Sequence, residues 1–375
     1  MKRIEFFRHS IDDKDIERVN SVLRSIFLTT GESVTEFERK FSAYVGLKHT
    51  VGITSCTAAL HLSLISLGIG LGDQVITTPM SFCATSNAIL HSGAKPVFID
   101  VEEETGNLNA ELIESVITET TRAILPVHLY GQMCEMAKIK EIANRFNLRL
   151  IEDAAHAIEA SRDKFKVGEL SDTACFSFYA TKNITSGEGG AISTNIGEIA
   201  EMLTYLRLHG LDKGAAERYT RQYQHWDMPV LGWKYNMDNI QAALLIGQLE
   251  RIEDLWQKRD FLWKLYEEEL RPIRKIKNLK TLPGVKHARH LFTILVESGK
   301  RDFLLRALQE RGIGVAVNYR PIHLLKYYRE RFGYREGDYP VAEEIGMRTI
   351  SLPLYPLLEE DDVLYIVKSI KEILD

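Results

Sequence analysis

The sequence predicts an α/β protein, with a mainly parallel sheet flanked by helices in a large domain and a smaller C-terminal α+β domain behind it. Three observations predict it. Strands alternate with single helices up to Glu152, the alternation stops after Asp153, and the last third has one clear strand set among helices. A chain of 375 residues, 26% charged and 45% apolar, has the composition of a soluble globular protein with room for two domains.

Apolar residues recur at helical spacing from Asp12 to Ser25 and from Val34 to Tyr44, ahead of a β-rich run, His49 to Thr54. Helix Ala58 to Leu67 then leads to strand Gln74 to Thr77, helix Cys83 to His91 and strand Pro96 to Asp100. The same order continues through helix Ala110 to Ile117, strand Ala123 to His128, helix Met136 to Phe146 and strand Arg149 to Glu152. Beyond Asp153, Ala174 to Tyr179 and Ala191 to Thr194 read as strands joined by a Gly-rich turn, Ser186 to Gly190, which implies a hairpin or a sheet edge. A helix follows at Ile196 to Leu208, and another at Met237 to Lys258 that continues to about Leu270. The remainder has a strand at Leu291 to Val296 and helices at Arg301 to Arg311 and Glu360 to Leu374. The domain boundary is placed near Glu250, dividing the chain into 1–250 and 251–375.

Lys and Arg total 47 against 52 Asp and Glu, and the formal net charge of -5 gives no basic field for a nucleic acid. No apolar run reaches the roughly 20 residues of a membrane helix. The opening MKRIEFFRHSIDDKDIE has no apolar stretch of signal-peptide length, so a cytoplasmic protein is expected. The four cysteines, at 56, 83, 134 and 175, are spaced for neither a zinc knuckle nor a CxxC pair and read as free thiols in a reducing compartment.

The segment LRLIEDAAHA, Leu148 to Ala157, ends a buried strand in two carboxylates, where α/β folds place ligand-binding groups. Asp153 either caps a following helix or faces a ligand. Downstream, FSFYATKNITSGEGG sets Lys182 after an aromatic strand, where a single lysine is ordinarily a solvated loop residue. Together the two suggest more. A lysine at the floor of a cleft can form a Schiff base, and an aspartate opposite can keep a pyridine nitrogen protonated, which is the minimal equipment of a pyridoxal-phosphate (PLP) enzyme. Residues 54–58, TSCTA, offer hydroxyls and amides at a strand-to-helix turn suited to its phosphate. The run GIGLG at 68–72 has the wrong spacing for a dinucleotide fingerprint and reads as a helix C-terminal turn.

The order SCTAALH, TPMSFCAT, EDAAHA, SFYATKNITSGEGG, GWKYNM and HLLKYYRERF resembles the nucleotide-sugar aminotransferases of the aspartate-aminotransferase superfamily, fold type I, over nearly the whole chain. EDAAHA, KNIT with EGG, and KYYRERF look particularly like the aminotransferase of the 4-amino-4-deoxy-L-arabinose pathway. The resemblance implies that Lys182 carries PLP and moves protons, that Asp153 pairs with the pyridine nitrogen, and that His156 lies near the cofactor ring. It further implies that Phe82 stacks on that ring and that Cys56, Thr57 and Ser177 hold the phosphate. Many relatives have an Asn before the basic residue in the loop that crosses to the neighbouring subunit of a homodimer. Here Lys234 precedes Asn236, and the pattern leaves open which of them makes that contact. Tyr319 and His323 are candidates for the sugar pocket, with Asn318, Arg320 and Lys326 beside them.

The activity implied is transfer of an amino group from glutamate to a keto carbon of a nucleotide-linked deoxy sugar, most simply C4. A 3-keto nucleotide sugar and a keto-inositol are alternative acceptors. A dehydratase of the same fold would resemble this chain but carry His in place of Lys182. A PLP-binding regulator is a further alternative, for which no helix-turn-helix or basic arm is seen.

Overall fold

Along β5 (Arg149–Asp153) the pleat sends successive side chains to opposite faces. Leu150 joins one buried core with Ile124, Ala174 and Phe176, while Ile151 joins the other with Leu125, Cys175 and Ile192. This alternation, repeated in each strand, puts helices on both faces of one sheet. The computed structural model describes residues 2–213 and 225–375.

The main sheet combines β5 with β1 (His49–Ile53), β2 (Gln74–Thr77), β3 (Lys95–Phe98), β4 (Thr121–Leu125), β8 (Thr173–Ser177) and β9 (Gly190–Thr194). Between β5 and β8 lies a two-residue hairpin, β6 (Ser161–Arg162) and β7 (Phe165–Lys166). The order across the sheet is β1-β9-β8-β5-β4-β2-β3. Pairings from β8 through β5, β4 and β2 to β3 are parallel, whereas β9 runs antiparallel to both β8 and β1. The expected hairpin after Asp153 is therefore present, and it lies inside the sheet, because β1 covers the outer side of β9.

Helix α1 (Asp13–Leu23) starts in a capping box made by Asp12 and Asp15. Helix α2 (Glu32–Val45) buries Val34, Phe37, Phe41 and Val45, one stripe at helical spacing. Phe37 and Phe41 meet Phe178 with ring centroids 5.4 and 5.5 Å apart, and Phe41 meets Phe176 at 5.0 Å, which ties α2 to β8 and the loop after it. Helix α3 (Cys56–Ser66) is buried nearly all round, and α4 (Ala84–His91) and α6 (Gly197–Leu206) pack beside it. Helix α5 (Met136–Arg145) covers the opposite face through Met136, Ile139, Ile142 and Ala143. Gly68, just past α3, has φ +73, which makes GIGLG the expected helix-terminal turn.

Two expected helices differ. Residues 110–117 form two short 3-10 turns, Ala110–Leu112 and Glu114–Val116, in place of one α-helix. The Ser115 hydroxyl donates to the Leu112 carbonyl, a bond that competes with a regular ladder, while the Asn109 side chain caps only the first short turn by accepting from the Glu111 N–H. The long helix after Met237 is two helices, Asn239–Glu250 and Ile252–Leu270. It breaks at Arg251 (φ -112°, ψ 18°), whose guanidinium is drawn to the Ser10 carbonyl and Asp15.

The C-terminal part is built on an antiparallel sheet of β10 (Ile276–Asn278), β12 (Phe292–Val296) and β13 (Thr349–Leu352), while β11 (Val285–Lys286) extends the small hairpin at β6. Helices Ile252–Leu270 and Glu360–Leu374 pack on it. Ile4 belongs to this second core and brackets Gly312 to Gly314 with backbone hydrogen bonds of 2.9 and 2.8 Å. We propose the division 1–250 and 251–375 with the break at Arg251 as its boundary, and with residues around Ile4 crossing to the second part. Among the described residues no helix is long and apolar enough to cross a membrane, and no group of three metal-binding side chains is found. All four cysteines are free.

Candidate active site

The carboxyl ends of parallel strands collect chain turns, and here they surround a cavity of about 540 Å³. Its wall takes Cys56 and Thr57 from the β1-to-α3 turn, Phe82 from the segment before α4, Asp153 and His156 from the end of β5, and Ser177 from the end of β8. Lys182 and Tyr319 complete it. Eight residues singled out from the sequence, distant in the chain, thus share one space.

The two carboxylates that end β5 separate because the pleat alternates. Glu152 turns away, accepting from His128 Nε2 at 2.6 Å and from the Gly168 N–H at 3.0 Å. Asp153 faces the cavity. Its Oδ1 accepts from the Ala155 N–H (3.1 Å) and its Oδ2 from the Thr85 hydroxyl (2.8 Å). No helix follows at 154–160, so Asp153 is not a helix cap. Because Thr85 gives its one proton to Asp153, Ser81 donates to Thr85 Oγ1 at 2.8 Å. Burial raises the Asp153 carboxyl above its usual range, against the opposing pull of these bonds and of Lys182.

Lys182 sits on a loop pinned at both ends. Phe178 donates to the Gly189 carbonyl and its own carbonyl accepts from Ser186, while the Lys182 N–H reaches Tyr179. Burial pulls the Lys182 amine down to about 8. This is not a solvated loop lysine.

His156 is buried, and its Nδ1 accepts from the Tyr130 N–H at 3.2 Å. The neutral ring therefore carries its proton on Nε2, which donates to Tyr319 Oη at 3.1 Å. Burial, followed by Lys182, holds His156 well below the usual imidazole range. Tyr130 has φ 56°, strained backbone at the point that presents this N–H.

At the turn after β1, Ser55 caps α3 by accepting from the Ala58 N–H at 3.1 Å. The N–H groups of Cys56 and Thr57 belong to the first turn, outside the intrahelical ladder, at the positive end of the helix dipole. Gly190 explains how close the sheet comes. A Cβ there would lie 2.5 Å from the Ser55 carbonyl carbon and 2.6 Å from the Cys56 nitrogen.

Other sequence candidates lie elsewhere. His323 does not line the cavity: it is fully buried, with Nε2 2.9 Å from Glu343 Oε1 and its ring 4.7 Å from that of Tyr339. The short turn Ile322–Leu324 rotates it inward, where Glu343 supplies an acceptor. Lys234 and Asn236 are outside this chain's own cavity; Lys234 is exposed, and its Nζ donates to Asn236 Oδ1 at 2.6 Å. Of the polar residues around Tyr319, Asn318 lines the cavity and Arg320 and Lys326 do not. Thr85, Ser81 and Tyr130 were missed by the sequence reading. Thr85 lies in the quoted TPMSFCAT run, but only the folded chain brings it to Asp153.

A mainly parallel sheet with an antiparallel strand, a desolvated lysine and a buried aspartate at its carboxyl edge define the class, a PLP-dependent enzyme of fold type I. Residues 9–371 match the DegT/DnrJ/EryC1/StrS aminotransferase family, and the chain belongs to that family. It is 39% identical to the spore coat polysaccharide biosynthesis protein SpsC of Bacillus subtilis, over 99% of this chain and 98% of the relative. It is 35% identical to the GDP-perosamine synthase of Caulobacter vibrioides, over 100% and 99%. Spr1654 of Streptococcus pneumoniae, solved in its PLP form, superposes with a TM-score of 0.92 at 30% identity, covering 99% of this chain and 98% of that one.

The residues fit the cofactor. A carboxyl raised by burial is relieved by a pyridinium cation, and the approach that only glycine permits at residue 190 shapes a cradle at a helix N-terminus.

Proposed function

We propose that this PLP-dependent aminotransferase moves an amino group from glutamate to the C4 keto carbon of a nucleotide-linked deoxy sugar, in the cytoplasm. The observation that carries the sugar reading is the character of the cavity wall. Aromatic rings (Phe6, Phe82, Tyr179 and Tyr319) share the wall with the polar side chains of Thr57 and Asn318, surfaces suited to the apolar faces and hydroxyl edges of a sugar ring. The names of the two relatives, a polysaccharide biosynthesis protein and a GDP-perosamine synthase, support a nucleotide-sugar substrate.

When bound, PLP withdraws electrons from the carbon that bears the substrate amine. Lys182 Nζ would hold the cofactor and, as a free amine, would take up and return the proton at the carbon that bears the substrate amine. An amine pulled down to about 8 is neutral often enough near neutral pH to act as that base. Asp153, steadied by Thr85 and the Ala155 N–H, keeps a proton on the pyridine nitrogen. His156, with its Nε2–H bonded to Tyr319 Oη, and Phe82 would hold the cofactor ring, and the Cys56 and Thr57 amides with Ser177 would take the phosphate. A nucleoside diphosphate would extend from the mouth of the cavity, where Phe82 is 59% exposed, and its remote binding energy helps position the keto carbon.

Measuring kcat/KM for a 4-keto nucleotide sugar, its 3-keto isomer, a keto-inositol and pyruvate, with glutamate as donor, tests the acceptor. The 4-keto nucleotide sugar is expected to exceed the others by at least tenfold. Preference for the 3-keto isomer overturns the ring position, and preference for the keto-inositol moves the enzyme to cyclitols. Borohydride reduction with peptide mapping is expected to place the pyridoxyl group on Lys182.

A homodimer with shared sites is part of the proposal. Asn236 is buried, donates to Thr29 Oγ1 at 3.1 Å and steadies the Lys234 ammonium, so Lys234 is the residue offered outward to a partner's phosphate.

A further inference from the structure

Behind the Lys182 loop lies a buried polar network that the chemistry above does not use. Glu159 and Arg259 form an ion pair of 2.6 Å at 0% and 2% side-chain exposure. The pair is poorly satisfied, since among the described residues Arg259 Nε and Nη1 have no hydrogen-bond partner. Buried pairs of this kind add little stability over an apolar replacement, and unpartnered guanidinium nitrogens make the arrangement costly. Its use lies in what the other carboxylate oxygen holds. Glu159 Oε2 accepts from Asn183 Nδ2 at 2.8 Å.

Asn183 directly follows Lys182, and both ends of its side-chain amide are engaged. The second Nδ2 proton goes to the Ala288 carbonyl at 3.0 Å, and Oδ1 accepts from His290 Nδ1 at 3.1 Å. With an anionic acceptor on one side and an imidazole N–H on the other, the amide has one workable orientation. The His290 ring in turn packs on the His156 ring, with centroids 4.5 Å apart. One side chain therefore joins the lysine loop, the turn after β5, residues 288–290 and, through Glu159, the helix that carries Arg259.

We propose that Asn183 is a positioning residue for the reaction at Lys182: its amide fixes the backbone that aims Lys182 into the cavity and fixes the ring of His290 that backs His156. The Glu159–Arg259 pair is there to hold Asn183. This rests on Lys182 as the cofactor lysine, so borohydride mapping of every PLP-loaded protein used comes first. Loss of the pyridoxyl group from Lys182 in wild type would sink that premise and not the network.

The test compares Asn183→Ala with two double variants, Glu159→Gln/Arg259→Met and Glu159→Leu/Arg259→Met. Both doubles remove the charges, but only Gln keeps an acceptor for Asn183. Three quantities are read on PLP-loaded protein: kcat against KM for glutamate, the pH midpoint of the visible absorption band, and hydrogen exchange at residues 178–186. Asn183→Ala is expected to lower kcat at least thirtyfold with KM changed less than threefold, to move the band midpoint by more than half a pH unit, and to speed exchange in the loop. The Gln double variant should keep at least ten times the kcat of the Leu double variant, with a midpoint nearer wild type. A wild-type kcat and midpoint in Asn183→Ala overturns the proposal, as do Gln and Leu doubles that behave alike. If Asn183→Ala fails to fold, the two doubles decide alone.

Discussion

Asp153 and Lys182 illustrate how burial prepares a side chain for one partner. The Asp153 carboxyl is raised by desolvation and held by two donors, so a pyridinium placed against it gains a charge-assisted contact in a dry site. Asp153→Asn keeps the shape and loses the charge. Its kcat is expected to fall by about 10²–10³, the scale of ~3–4 kcal/mol for a positioned group lost from a transition state, while PLP occupancy falls less. Thr85→Val, which removes the donor to Oδ2 together with the acceptor for the Ser81 hydroxyl, is expected to lower kcat at least tenfold, the scale of ~1.5–3 kcal/mol for one hydrogen bond to a charged group. Steady-state kinetics with a cofactor absorbance titration checks both, and an Asp153→Asn enzyme with near-normal kcat removes the charge from the mechanism. For Lys182 the sign of the pH effect follows from its lowered value. Between about 8 and the ordinary 10.5 the unfolded chain binds the extra proton, so the Lys182 contribution to stability of the cofactor-free protein rises as pH rises through this window. Lys182→Met is expected to raise the Tm of cofactor-free protein more at pH 7.5 than at pH 10, read as the difference from wild type at each pH.

At the scale of elements, the site depends on how closely β9 approaches the start of α3. Every β-carbon at residue 190 meets the Ser55 and Cys56 backbone, which has no flexible end to move aside. Gly190→Ala is therefore expected to displace the helix N-terminus and weaken PLP binding at least tenfold, with less effect on overall folding. Equilibrium titration of apoprotein with PLP reads it directly; unchanged affinity would separate this turn from the phosphate. Much of the element order was legible in the sequence, because alternate pleating and helical spacing are local. The segment 110–117 was not, since Ser115 engages a backbone carbonyl in a way that periodicity cannot see. The break at Arg251 was hidden for a different reason. Its cause is the Ser10 carbonyl and Asp15, which lie more than 200 residues away.

For the whole molecule, the proposed shared-site homodimer gives a test that no single subunit can pass. Two-fold symmetry would form two equivalent sites, each completed by the other chain's loop. Mixing Lys182→Ala subunits with Lys234→Ala/Asn236→Ala subunits is expected to restore activity through about one intact site per heterodimer, measured on purified heterodimers against both inactive parents. Absence of recovery in confirmed heterodimers overturns the shared site.

The sequence by itself determined the fold class and singled out the lysine, the aspartate and most of the other residues that wall the cavity, because strand ends, helix starts and the residue types needed for Schiff-base chemistry are written locally. Tertiary structure decided which neighbour each of those groups has. The pleat separated Asp153 from Glu152, and Thr85 reached Asp153 across 68 positions. His323, alike in sequence context to Tyr319, turned inward to Glu343 while Tyr319 turned to His156. Such choices are settled by burial, since a polar group removed from water takes whichever partner the packed chain brings within hydrogen-bond reach, and chain spacing does not encode that distance.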